Sequence, residues 1–159
     1  GATRTVTVDS ASGAIEAARR NFALNAEILG RAATTAELVR ADAFEYLRDA
    51  GARRERFSLV ISDPPSFAPS ESARPAALAS YVRLHALCAA VVERGGILCA
   101  ASCSGHVGES DFLRTVREGS ERAGRVFELR EMHGAASDHP VVPEFPEGRY
   151  LKFAIGTLG

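Results

Sequence analysis

Four side chains capable of chemistry each follow a predicted β-strand. They are Asp9, Asp42, Asp63 and Cys103. In open α/β sheets, ligands bind beyond the carboxyl ends of the strands, so carboxylates and a thiol at these positions could hold or attack a ligand. The alternative is structural: each acid would cap a neighbouring helix or loop, and the cysteine would be a small buried side chain.

Asp63 has the most sharply defined local setting of the four. The preceding run Leu59-Val60-Ile61 is short, apolar and partly β-branched, which is typical of a central strand covered on both faces. Pro64 and Pro65 cannot donate to a strand ladder, so pairing ends there. Because Asp63 precedes a proline, its own backbone is restricted to extended conformations. The sequence therefore predicts a carboxylate held at the end of a strand by a stiff loop.

The spacing of apolar residues predicts strands alternating with helices. Strands are predicted at 5–9, 37–41, 57–62, 97–102, 126–132 and 149–156, and helices at about 11–25, 43–51, 76–93 and around 112–123. Residues 26–36 are predicted to form a loop or frayed turn, 63–75 a loop, and Gly95-Gly96 the end of the third helix. This alternation predicts an α/β sheet with helices on both faces. The last two strands lack a helix between them, which predicts a hairpin and an antiparallel edge strand on an otherwise parallel sheet.

Composition narrows the possible classes of protein. The chain has 159 residues, 46% of them hydrophobic, as expected for one domain with a real core. Its 19 basic and 20 acidic residues give a net charge of −1, which argues against a free-standing nucleic-acid-binding module but not against a catalytic domain. The three cysteines do not form a disulfide framework, no metal-ligand spacing is present, and a reducing, cytoplasmic setting is expected. No signal peptide or membrane-length apolar run is visible in the sequence.

These motifs together resemble a class I S-adenosylmethionine-dependent methyltransferase, and more narrowly the large-subunit ribosomal RNA cytosine-5 methyltransferases of the methyltransferase I type. Asp-Pro-Pro alone occurs in many nucleic-acid methyltransferases, but its combination with the other segments is more specific. The matching segments are Val8-Asp9-Ser10, Asn21 with Asn25, Asp42-Ala43-Phe44, Asp63-Pro64-Pro65-Ser66-Phe67, Ser102-Cys103-Ser104-Gly105-His106, and the tail from Asp138 to Lys152 with His139 and Arg149.

The resemblance implies a cofactor, S-adenosyl-L-methionine, and residues that bind it. Asp9 would accept hydrogen bonds from the ribose diol, as acids do at this place in dinucleotide sites. Asp42 would accept a hydrogen bond from the adenine amino group, with Phe44 against the ring, and Asp63 would border the cofactor. The alternatives are that Asp9 and Asp42 are helix N-caps and that Phe44 belongs to the core.

The resemblance also implies catalytic and RNA-binding residues. Cys103 would add to carbon 6 of cytosine, and the carboxyl group of Asp63 would hold ring nitrogen 3. Pro64 and Pro65 would shape the substrate loop, and Phe67 would stack on a base extruded from RNA, although packing within the loop is an equal alternative for Phe67. His106, His133, His139 and Arg149 receive no catalytic role, and no metal site is expected.

Methyltransferase domains of this class begin with a strand and a Gly-rich turn, which do not precede Thr5 in this sequence. Residues 1–159 are therefore expected to be a partial methyltransferase domain that is not a stable monomer and needs a missing N-terminal segment or a second copy in a homodimer. Two further functions stay open: methylation of another base, such as guanine, and a non-catalytic fragment that completes its fold with another chain.

Overall fold

The computed structural model describes residues 2–30, 35–137, 148 and 150–159. The chain divides into two compact units, Gly1–Asp49 and Ala50–Gly159. Each unit contains its own sheet.

The first unit is a two-stranded parallel sheet with helices. Strand β1 (Thr5–Asp9) pairs with β2 (Ala36–Arg40), and Val8 lies opposite Val39. Helix α1 (Ser12–Leu24) and the four-residue helix α2 (Ala26–Leu29) connect them, while α3 (Ala43–Ala52) follows β2. Among the described residues of α1, Ile15 is the buried side chain.

The second unit is a four-stranded sheet of order β3-β4-β6-β5. Its strands are β3 (Phe57–Ser62), β4 (Val92–Ser102), β5 (Phe127–His133) and β6 (Lys152–Leu158). A 3₁₀ turn (Glu71–Ala73) leads into helix α4 (Arg74–Val91) between β3 and β4, and helix α5 (Glu109–Arg122) lies between β4 and β5. The predicted α/β class with parallel and antiparallel pairing is confirmed.

The position of the antiparallel strand differs from the prediction. Strand β6 is antiparallel to both of its neighbours and lies between β4 and β5, so β5 forms the edge of the sheet. Alternate residues of this last strand are buried, including Ala154 and Leu158, as expected for a strand inside a sheet. A hairpin alone predicts that β5 and β6 pair, but it does not say which of them reaches β4.

The prediction that Gly95-Gly96 ends a helix is wrong. Helix α4 ends at Val91, and strand β4 begins at Val92 and runs through both glycines. A Cβ on Gly96 would lie 2.8 Å from Cγ1 of Val92 and 3.0 Å from the carbonyl oxygen of Ser58. Glycine is therefore required for the close approach of β4 to β3, where the strand register also shifts.

Strand β3 is not covered on both faces, contrary to the prediction. Leu59 is 48% exposed and Ile61 is 64% exposed. Both residues point to one face of the sheet, because alternate side chains share a face. Ile97, which pairs with Leu59, adds to the same apolar surface at 39% exposure. Within the described residues, β3 pairs on one side only, with β4.

Aromatic packing between α4 and α5 forms the core on the other side of the second sheet. Tyr81, His85 and Phe112 are fully buried, and their ring centroids lie 5.5–5.9 Å apart. The helices approach closely because Gly119 leaves no room for a Cβ, which would lie 2.6 Å from Cβ of His85. This packing fixes Tyr81 beneath the loops that follow β3 and β4.

Candidate active site

Asp63 and Cys103 lie at the same edge of the second sheet. Each directly follows the last residue of its strand, Ser62 of β3 and Ser102 of β4. The two strands are parallel neighbours, with Ser62 opposite Ala100. Asp63 and Cys103 therefore follow adjacent strand ends, and Asp63 is exposed at this edge.

The three cysteines have different environments. Cys88 and Cys99 are buried, whereas Cys103 is half-buried. Burial raises the pKa of the Cys88 thiol to about 12, partly offset by a hydrogen bond with Ser62. Burial also raises the pKa of Cys99. Of the three thiols, Cys103 is the one that a substrate or reagent can reach.

Four hydroxyl groups connect the loop after β3 to the loop after β4. The Tyr81 hydroxyl is 2.8 Å from Oγ of Ser102 and 2.9 Å from Oγ of Ser104. Oγ of Ser104 is in turn 3.0 Å from Oγ of Ser66, and the backbone N–H of Ser104 donates to Oγ of Ser102. Because these groups flank Cys103 on both sides, they fix the backbone that carries its thiol.

The proline loop also packs against the same tyrosine. Pro64 is half-buried and Pro65 exposed, and the half-buried ring of Phe67 lies 4.8 Å from that of Tyr81 at an interplanar angle of 55°. This contact gives Phe67 a packing role in the loop. A role in stacking on a base stays a prediction.

Lys152 is a functional candidate that the sequence analysis did not single out. It is 6% exposed, and its Nζ donates to the carbonyl oxygens of Ser104 and Val107 at 2.7 Å each. The turn between them is closed by a bond from the Val107 N–H to the Ser104 carbonyl. Burial lowers the pKa of Lys152, while the negative charges of Cys103 and Glu109 act in the opposite direction.

A pocket of about 320 Å³ opens beside this turn. Its lining includes Gly105, Gly108, Glu109, Leu151 and Lys152. The volume is at the lower end of the roughly 300–1,000 Å³ that is typical of ligand sites.

A second link between the loops that follow β3 and β4 lies on the outside of the turn, where Nδ1 of His106 is 3.4 Å from a carboxylate oxygen of Glu71.

The proposed cofactor acids lie in the first unit. Asp9 ends β1 and Asp42 follows β2, so both lie at the carboxyl edge of a parallel strand pair. Oδ1 of Asp9 accepts a hydrogen bond from the N–H of Ala11 at 2.7 Å, and Oδ1 of Asp42 accepts one from the N–H of Glu45 at 3.0 Å. Asp42 thus caps the start of α3, whereas Asp9 bonds the residue that precedes α1, and α1 itself has no side-chain cap. Phe44 is half-buried.

Several other sequence predictions can be placed. His133 is exposed and lies 2.8 Å from Glu131. The tail residues 138–147 and Arg149 lie outside the described residues, so the interpretations of His139 and Arg149 stay predictions. In the described part of the chain, no cluster of His, Cys, Asp and Glu side chains could hold a metal ion, and no helix is long and apolar enough to cross a membrane.

Comparison with known proteins finds relatives that are named as methyltransferases. No family model matches it. Ribosomal RNA large subunit methyltransferase I of Serratia proteamaculans is 35% identical over 152 residues, and that of Escherichia coli O139:H28 is 36% identical over 152 residues. Both alignments cover 96% of this chain, and the chain spans 37% of the length of each relative.

A solved structure shares the fold. SMU.776, a putative methyltransferase complexed with SAH, superposes with a TM-score of 0.77 at 24% identity, covering 99% of this chain and 40% of that one. The chain is therefore a homologue, over almost its whole length, of part of the ribosomal RNA large subunit methyltransferase I proteins, and it has a methyltransferase fold.

Proposed function

We propose that this chain is the catalytic part of an S-adenosylmethionine-dependent methyltransferase that forms 5-methylcytosine in large-subunit ribosomal RNA through a cysteine adduct. The observation that carries the proposal is the position of an accessible thiol, Cys103, and an exposed carboxyl group, Asp63, directly after adjacent parallel strands. The names of the relatives support a ribosomal RNA substrate, and SAH in the solved structure supports the cofactor.

The acids of the first unit fit the nucleoside part of such a cofactor. Asp9 and Asp42 are both exposed, and their carboxylates lie at the ligand-binding edge of β1 and β2. Each uses Oδ1 in a backbone hydrogen bond, and a carboxylate has further lone pairs with which to accept hydrogen bonds. Asp9 would hold the ribose hydroxyls and Asp42 the adenine amino group, with Phe44 beside the ring.

Cys103 provides what the chemistry at carbon 5 requires. Carbon 5 of cytosine is a poor nucleophile, and addition of the Cys103 thiolate to carbon 6 forms an S–C6 bond that makes carbon 5 enamine-like. S-adenosylmethionine, when bound, supplies a methyl group on a positively charged sulfur. After carbon 5 takes up the methyl group, loss of its proton to a base or water restores the C5–C6 double bond and breaks the S–C6 bond. Cys103 is thereby released as a thiolate.

Asp63 would stabilise the charge that develops during this addition. Electron density moves from the attacking sulfur toward ring nitrogen 3 of the base. In its protonated form the carboxyl group can donate a hydrogen bond to that nitrogen, which stabilises the adduct more than the free base and so meets the condition for catalysis. Pro64 and Pro65 limit the conformations of the loop, so Asp63 needs little reorganisation to reach this geometry.

The test is methyl transfer by cysteine variants of the full-length protein. Cys103→Ala is expected to lower the rate of transfer of radiolabelled methyl groups to protein-free ribosomal RNA by on the order of 10³-fold or more, because the covalent route is lost. Cys99→Ala is the matched control, since Cys99 is a buried cysteine in β4, the strand that leads into Cys103. It is expected to retain activity within a few-fold.

Product analysis separates the alternatives. Nuclease digestion of the labelled RNA should yield 5-methylcytidine. A methylated guanosine, or full activity of Cys103→Ala, would contradict the proposal and support a methyltransferase that acts on another base. Failure of the unsubstituted full-length protein to transfer any methyl group would support the non-catalytic alternative.

A further inference from the structure

We propose that Lys152 is a positioning residue for Cys103: its buried ammonium group holds the turn that directly follows the thiol and supplies the positive charge that favours the thiolate. The inference rests on the proposed function, in which Cys103 reacts as a thiolate. It adds a residue from a different strand, β6, to the site formed by the ends of β3 and β4.

The geometry of Lys152 fits a device that fixes one turn. Its Nζ donates at 2.7 Å to the carbonyl oxygens of Ser104 and Val107, which are the first and last residues of the turn after Cys103. The backbone N–H of Ser104 is fixed as well, by Oγ of Ser102. The residue on each side of Cys103 is therefore held by hydrogen bonds, and the thiol has a defined position.

The charge of Lys152 needs a negative partner. Within the described part of the chain, no carboxylate forms an ion pair with this buried ammonium group, whose solvation is reduced by burial. Cys103 and Glu109 are the groups near Lys152 whose negative charge, when they are ionised, would counteract the effect of burial on its pKa. A buried charge is costly unless it is compensated, so a thiolate at Cys103 and the Lys152 ammonium stabilise each other.

The composition of the chain is consistent with a special requirement at this position. Lys152 is the only lysine among 19 basic residues, and the other 18 are arginine. An ammonium group is a compact point charge with three rotatable donors, whereas a guanidinium group is a planar fork. Two carbonyl oxygens of one tight turn, beside a thiol, match the compact group.

Other charged groups surround the turn but are placed differently. His106 and Glu71 interact with each other on its outer side, at 3.4 Å. On β5, His133 lies opposite Phe153 of β6 and is bound to Glu131 at 2.8 Å. Glu109, at the start of α5, is the carboxylate that competes with Cys103 for the charge of Lys152.

The test measures the pH dependence of Cys103 alkylation in the full-length protein without RNA. The rate of reaction with iodoacetamide is determined at each pH by mass spectrometry of the peptide that contains Cys103. In Lys152→Met the pH of half-maximal rate is expected to rise by about one unit, because loss of a nearby opposite charge disfavours the charged form. The rate at pH 7 should fall about tenfold, and the limiting rate at high pH should stay unchanged.

Lys152→Gln separates charge from hydrogen bonding. Glutamine is neutral but keeps two N–H donors for the carbonyl oxygens of the turn, so its profile is expected to shift like that of Lys152→Met. A shift in Lys152→Met but not in Lys152→Gln would overturn the assignment of charge, as would unchanged midpoints in both. Glu109→Gln, which removes the competing carboxylate, should leave the midpoint where it is or lower it, and a higher midpoint would contradict the inference.

Cys88 and Cys99 report whether each variant is folded. Both are buried, so they stay unreactive in a native protein and become alkylated when the fold opens. Either neutral variant that keeps them protected is sufficient for the test. If both variants expose them, a higher midpoint in Glu109→Gln still overturns the inference, while an unchanged or lower midpoint supports it. The proposed function fails separately, if Cys103→Ala transfers methyl groups normally, whatever the alkylation profiles show.

Discussion

His85 shows how a single buried residue makes stability depend on pH. It is fully buried between Tyr81 and Phe112, and burial lowers the pKa of its imidazole to about 4. Thr115 Oγ1 donates to the carbonyl of Phe112 at 2.6 Å, so its oxygen accepts from Nδ1 of His85 at 3.3 Å. Nε2 has no hydrogen-bond partner among the described residues, and protonation there would bury an unpaired N–H.

We predict that the free energy of unfolding falls as pH decreases from about 6.5 to about 4. In this window the unfolded chain binds a proton at His85 that the folded chain excludes, so the unfolded state becomes more stable relative to the folded state. The lowered pKa corresponds to a contribution of about 3 kcal/mol to the free energy of unfolding, which is fully present above pH 6.5 and is lost near pH 4. Urea unfolding at several pH values measures this free energy.

His85→Leu is the matched variant for this measurement, because carboxylates also titrate between pH 4 and 6.5. The difference between the two proteins isolates the histidine. Equal pH slopes for the unsubstituted protein and His85→Leu would contradict the assignment.

At the scale of elements, Arg125 joins the ends of three of them. It lies in the turn between α5 and β5, and its guanidinium group donates to five backbone carbonyl oxygens, those of Ala89, Val92, Glu93, Leu158 and Gly159. These acceptors belong to the end of α4, the start of β4 and the end of β6. A planar group with five donors can serve all of them at once.

We predict that Arg125→Met lowers the free energy of unfolding by about 3 kcal/mol, because several charge-assisted hydrogen bonds are lost and partly buried carbonyl groups lose their donor. Arg122→Met is the control. Its side chain is 59% exposed and bound to Glu118, and such a surface ion pair contributes about 0–1 kcal/mol. Chemical unfolding of both variants measures the difference, and equal losses would contradict the role given to Arg125.

Local sequence signals placed most elements and both strand ends of the site. Asp63 could be predicted because two prolines stop β3 directly after it, and the helix positions followed from apolar spacing. The role of Gly96 could not be predicted, because a glycine is needed there only as a result of the close approach of Ser58 on another strand. Lys152 was missed for the same reason: its two acceptors lie 45 and 48 residues away in the chain.

At the scale of the whole molecule, the chain contains two sheets with open strand edges, and the second sheet also has an exposed apolar surface. The second sheet exposes Leu59, Ile61 and Ile97, and in the described residues β1 and β3 each pair with one neighbour only. Exposed apolar surface and open strand edges favour association with further protein. The expectation that these residues alone are not a stable monomer stays a prediction.

The central claim is the covalent bond between Cys103 and the target base. It is tested most directly with ribosomal RNA transcribed with 5-fluorocytidine, because fluorine at carbon 5 cannot be removed as a proton and the adduct is trapped. The full-length protein with S-adenosylmethionine is predicted to form a complex that survives denaturing electrophoresis, with the RNA attached to the peptide of Cys103, and Cys103→Ala is predicted to form none. A protein that makes 5-methylcytosine in normal RNA but gives no adduct with the fluorinated RNA, or an adduct that persists in Cys103→Ala, would contradict the account.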